Sequence, residues 1–159
     1  MALATIQSII QTEEAGLFTI IFEGESFTEF QKFITKGNAN AKLLPDLQKI
    51  LTAIQRMMNT AGFLERYFRP EGKMNDRVVA LPIQQSKLRL YCLRISDSVL
   101  IVGNGGHKTT KTYEESKKLS GYVITLQNLD KLLTTAEKKG TISIEKATIN
   151  NIEDSIFDI

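Results

Sequence analysis

The chain has 159 residues and a mass of 17.9 kDa. A domain of that length buries roughly two-thirds of the surface its unfolded chain exposes, so it needs neither metal nor disulfides to fold. Its 42% apolar and 24% charged content speaks against a disordered or membrane-resident chain. No run approaches the ~20 apolar residues that span a bilayer. The formal charge of +2 is too small to select a class of partner.

In chain order, residues 1–16 lack a basic flank, and Thr5, Gln7 and Ser8 interrupt their apolar residues, which reads against a secretory signal and as an N-terminal extension. Residues 17–23 are β-branched and aromatic and predict a first strand. Ser26 followed by Glu29 has the spacing of a capping box and predicts a helix as far as Gly37, with Phe27, Phe30 and Phe33 or Ile34 on one face. Leu43, Leu47, Ile50, Ile54 and Met57 then recur at the 3–4 spacing of a buried helical stripe. Pro45 fits its first turn and Gly62 stops it.

Beyond Gly62 the period becomes two. Residues 77–83 predict a strand near an edge, because Pro82 cannot donate to an interior ladder. Residues 88–95 and 98–102 predict two more strands, joined by a tight hairpin at Ser96-Asp97. Gly103 to Gly106 reads as a glycine-rich loop leading into His107-Lys-Thr-Thr-Lys-Thr-Tyr113. Tyr122, Leu126, Leu129, Leu133 and Ala136 mark a last helix ending at Gly140, and the acidic stretch 140–159 reads as a C-terminal extension. The order β-α-α-β-β-β-α predicts an α+β domain over residues 17–139, a small curved antiparallel sheet with its helices packed on one side.

Cys92 is the only cysteine and cannot form an internal disulfide, which predicts a reducing, cytoplasmic setting; within an apolar strand it reads as a buried hydrophobe. His107 is the only histidine, and no Cys/His pair has ligand spacing, so neither metal nor cofactor is expected.

The charge is unevenly distributed. Between Arg66 and Lys111 lie nine basic residues and three acids, whereas residues 140–159 carry Lys146 against Glu145, Glu153, Asp154 and Asp158. Strand alternation sets Arg89 and Tyr91 on one face and Leu88, Leu90 and Cys92 on the other. An arginine is costly to bury unpaired, so the first face is expected to be concave and open to water or an anion. Cations take phosphates and aromatic rings stack on bases, which suits nucleic acid; a solvated charged face without a ligand is the plainer alternative.

Lys87-Leu-Arg-Leu-Tyr91, Val99-Leu-Ile-Val-Gly103 and the basic run His107–Tyr113 together resemble the RelE/HigB-type toxin superfamily, over roughly residues 17–139. The resemblance implies a metal-independent endoribonuclease that cuts mRNA, often on the ribosome, and is held in check by a cognate antitoxin protein. In that chemistry the RNA's 2′-OH attacks the neighbouring phosphate, with a general base, a general acid and cations on the phosphorane. The resemblance then implies that Arg89 holds the scissile phosphate, Tyr113 occupies the position of a catalytic tyrosine, and His107 or Lys108 reaches the leaving group. Arg69, Lys73, Lys87 and Lys111 would position the RNA. The chain departs from the family in having Leu81-Pro82 where many members carry an arginine, and in its glycine-rich segment after the third strand of the meander.

Two rival readings differ in class. A phosphate loop at Val102–Thr110 fails on spacing, because His107 and Val102 stand where glycines are needed. A toxin-like module that binds without cutting, acting on a protein target as the related ParE branch does or held in a complex, fits the same fold. In one variant of that reading, the acidic tail folds across the basic face.

Overall fold

The structure is a computed structural model describing residues 2–72, 76–82, 88–107 and 117–159. Its chain opens with an antiparallel hairpin, β1 (Leu3–Gln11) on β2 (Gly16–Phe22). Thr12 closes the connecting turn, its hydroxyl accepting from the amides of Glu14 and Ala15. Residues 3–11, expected as an extension, are thus a strand of the main sheet.

Helix α1 (Glu29–Asn38) starts at Thr28, not Ser26. The Thr28 hydroxyl accepts from the Gln31 amide at 3.1 Å, and the Gln31 side chain accepts from the Thr28 amide at 2.7 Å. This is a capping box two residues later than the expected one. The shift buries Phe30 and Phe33 and leaves Phe27 61% exposed.

Helix α2 (Leu44–Asn59) follows the expected stripe, burying Leu47, Ile50, Ile54, Met57 and Met58. Just past its end stands Gly62, whose φ of +94° no β-carbon tolerates cheaply and whose amide donates to the Met57 carbonyl.

A 3-10 turn (Glu65–Tyr67) leads to the short edge strand β3 (Arg69–Pro70), then β4 (Val78–Pro82), β5 (Leu88–Arg94) and β6 (Val99–His107). Helix α3 (Lys117–Lys139) follows, then the hairpin β7 (Ser143–Glu145) and β8 (Thr148–Asn150), and finally β9 (Phe157–Asp158).

The main sheet runs β3-β4-β5-β6-β2-β1-β9. All its pairings are antiparallel except β2–β6, which is parallel. The fold is therefore α+β with a mostly antiparallel sheet, but its helices do not share one side. Leu17, Leu88, Leu90, Cys92, Leu100 and Val102 pack with α1 and α2. Phe18, Ile20, Tyr91, Leu93, Val99 and Ile101 pack with Leu119, Val123, Leu126, Leu129 and Leu133 of α3.

Alternation assigned each side chain to a face correctly, but it carries no information about what covers the face. A sheet covered on both faces has near-continuous apolar strands, and residues 99–102 show it.

The C-terminal stretch is integral to this core. Ile142, Ala147, Ile149, Ile152 and Phe157 are buried, and β9 pairs Phe157 with Ala4 and Asp158 with Leu3.

Candidate nucleic-acid interface

The residues singled out in the sequence converge on the end of the β5–β6 ladder. There Leu88 pairs with His107, Arg89 with Gly106 and Leu90 with Gly105. The glycine segment expected as a loop is strand. Its register shifts between the Leu90–Gly105 and Cys92–Val102 pairs, so β6 carries one extra residue across this interval.

The glycines serve close approach here: a β-carbon at Gly105 would lie 1.9 Å from the Arg89 carbonyl oxygen. Asn104, buried within the bulge, accepts from the Gly105 amide at 2.8 Å and turns its amide towards Glu29 at 3.5 Å.

Beyond Val102, β6 parts from β2, whose pairing with it ends at Thr19. The Thr19 hydroxyl donates to the Val102 carbonyl at 2.7 Å and accepts from the Phe30 amide at 3.3 Å, anchoring the start of α1 at the point of divergence. Two turns on, α1 carries Lys36 to the end of β6. The Lys36 ammonium donates to the Gly105 carbonyl and, at 3.0 Å, to the Tyr122 hydroxyl of α3. It also lies 4.6 Å from the centre of the Tyr122 ring, a cation–π contact. A β-carbon at Gly106 would stand 3.9 Å from this ammonium. Helices from opposite faces thus meet around a strand end that carries no side chain at 105 and 106.

Arg89 is half-buried and its guanidinium donates to the Leu88 carbonyl at 3.1 Å. His107 is exposed. The fold therefore brings Lys36, Arg89 and His107 to one end of the β5–β6 ladder, where strand alternation sets His107, paired with Leu88, and Arg89, paired with Gly106, on opposite faces. Arg69 stands apart on β3, in line with Ala80 and Tyr91, about 10 Å across the sheet from β5. Lys73, Lys87, Lys108, Lys111 and Tyr113 lie outside the described residues.

Three expectations are corrected. The face bearing Arg89 and Tyr91 is not open: α3 covers it and Tyr91 is fully buried, so its ring offers no stacking surface. Part of the basic surplus is structural. Arg77 donates to Asp130 at 2.6 Å and to Glu137 at 3.0 Å; burial alone would lower its pKa, and these two carboxylates hold it above the ordinary value. Arg94 donates to the Phe63 carbonyl at 2.7 Å and pairs with Asp97. Finally, the acidic tail does not cross the basic face. It ends beside β1, with β6 and β2 between that strand and β5.

Burial drives the Cys92 thiol well above the usual thiol range, as fits an inert core residue. No group of His, Cys, Asp and Glu among the described residues has the arrangement of a metal centre. No helix among them is long and apolar enough to cross a membrane.

Lys36 is not singled out in the sequence, and Tyr122 reads there only as part of the last helix's apolar stripe. Each sits on an ordinary amphipathic helix, and only the convergence of two helices at the glycine strand end joins them. No family model, curated protein or solved structure matches the chain.

Proposed function

We propose that the chain binds RNA through backbone phosphates at the end of the β5–β6 ladder, as a RelE/HigB-like module that holds RNA without cutting it. The observation that carries this reading is the gathering of Lys36, Arg89 and His107 from three elements around Gly105 and Gly106. Several nitrogen donors beside bare backbone suit a phosphate, which needs charge and close approach together. The chain runs directly from this point into Lys108 and Lys111, which adds to the cationic character of the segment.

Binding needs only charge and close approach, whereas attack by a 2′-OH also needs a base and an acid on opposite sides of one phosphate. Among the described residues of the cluster, Lys36 and Arg89 are cations and His107 is an exposed imidazole; Lys108 and Tyr113, the other residues that the resemblance implies in catalytic roles, lie outside the described residues.

Cleavage is the second reading, favoured by the exposed His107 at the same strand end as Arg89. An antitoxin would then cover this strand end.

The test is incubation of the purified chain with an end-labelled single-stranded RNA. RNA retained intact by wild type and lost by Arg89→Met supports the binding module. Fragments ending in 2′,3′-cyclic phosphate that vanish in His107→Gln establish the nuclease. Absence of both retention and cleavage rejects an RNA function.

A further inference from the structure

The far edge of the sheet carries an independent surface. β9 pairs only with Leu3 and Ala4, so among the described residues no strand meets the outer side of β1 from Thr5 to Gln11. Natural edge strands are blunted by charge, proline, bulges or a covering segment. This one carries neither charge nor proline, the first charged side chain being Glu13 and the first proline Pro45.

β1 also bulges. Its register on β2 jumps from Ser8–Phe18 to Ile10–Leu17, leaving Ile9 as the extra residue. A bulge re-aims neighbouring side chains, and here both Ile9 and Ile10 line one groove of about 460 Å³ with Leu17, Leu51, Ile54 and Met58. Among the described residues, no charged one lines that groove. Ile10 is nonetheless 52% exposed and Ile9 38%.

We propose that β1 is a homodimerisation edge, pairing antiparallel with β1 of a second copy across a two-fold axis. A row of backbone donors and acceptors that no described strand meets selects a strand as its occupant, since only a strand satisfies them in register. A second copy supplies a strand of the right chemistry. It is equally uncharged, so no like charges meet across the axis, and it brings its own Ile9 and Ile10 beside the first pair. The two-fold closes the contact at two chains, each edge consuming the other, whereas an open edge would go on recruiting strands.

The experiment is sedimentation of the full chain over a range of concentrations, with Ile9→Lys/Ile10→Lys alongside and circular dichroism on both. The expected result is a wild-type mass twice 17.9 kDa and a folded, monomeric variant. A wild type that stays monomeric at every concentration overturns the proposal, as does a folded variant that still dimerises. Should the variant fail to fold, hydrogen exchange of the wild type decides. Protection of Thr5–Gln11 amides that rises with concentration supports the edge pairing, and concentration-independent exchange there overturns it.

Discussion

The Lys36 ammonium lies 3.0 Å from the Tyr122 hydroxyl and 4.6 Å from the centre of its ring, tying α1 to α3 across the end of β6. The two helices pack on opposite faces of the sheet, so this contact is a clasp around the strand as well as part of the cation cluster. Tyr122→Phe removes the hydroxyl and keeps the ring. It should leave the fold intact and cost about 1 kcal/mol or less in thermal or urea unfolding, the scale of one partly exposed hydrogen bond. Tyr122→Ala removes both interactions and should cost clearly more.

Asp130 is the second anchor of α3. Its carboxylate accepts from the Arg77 side chain at 2.6 Å and from the Arg77 amide at 3.1 Å, with its side chain 9% exposed. Breaking one partner of such a pair strands the other charge. Asp130→Asn should lower unfolding free energy by about 2–4 kcal/mol. Glu137→Gln, on the more exposed partner, should cost under about 1 kcal/mol.

Gly105 should not tolerate a side chain. With the Arg89 carbonyl 1.9 Å from where a β-carbon would stand, Gly105→Ala must separate β5 from β6. The expected loss is about 1–3 kcal/mol, as for an overpacked core, together with weakened RNA binding. Gly121→Ala, in open space on α3, should be neutral or mildly stabilising and serves as the control.

Cys92 sets an alkaline limit. Burial holds the thiol protonated in the folded state, so its folded pKa lies above the unfolded value of about 8.5. Stability from this group is fully present below that pH and is lost above it, where the unfolded chain releases the proton and the folded chain does not. The slope should approach ~1.4 kcal/mol per pH unit. Chemical unfolding at several pH values, with Cys92→Ala as reference, measures it: the difference between the two proteins should grow as pH rises above about 9. In the native protein a thiol reagent should react only as fast as the chain opens.

The sequence was most legible where one element dictates its own pattern. The α2 stripe from Leu47 to Met57 and the alternation of β5 both stand in the fold. It was less legible where two local solutions compete. Ser26/Glu29 and Thr28/Gln31 both have capping-box spacing, and what distinguishes them is the burial of Phe30 and Phe33 and the Thr19 contact, a tertiary matter. Glycines 103, 105 and 106 resemble a loop because glycine is permissive, yet the strand uses their missing side chains for close approach. The cover over Arg89 and Tyr91 could not be read at all, since strand periodicity names a face and not its neighbour. The link from Lys36 to Tyr122 spans 86 residues and leaves no local trace.

The measurement that bears most directly on the central claim is the salt dependence of binding to a fluorescent single-stranded RNA. It compares wild type with Lys36→Met/Arg89→Met/His107→Ala, each shown to be folded. If Lys36 and Arg89 neutralise phosphates, the slope of log K against log salt should shrink by roughly 0.7 for each phosphate no longer neutralised, about 1.4 in all if each takes one phosphate. A folded variant that binds with the wild-type slope, or a wild type that does not bind, would contradict the account.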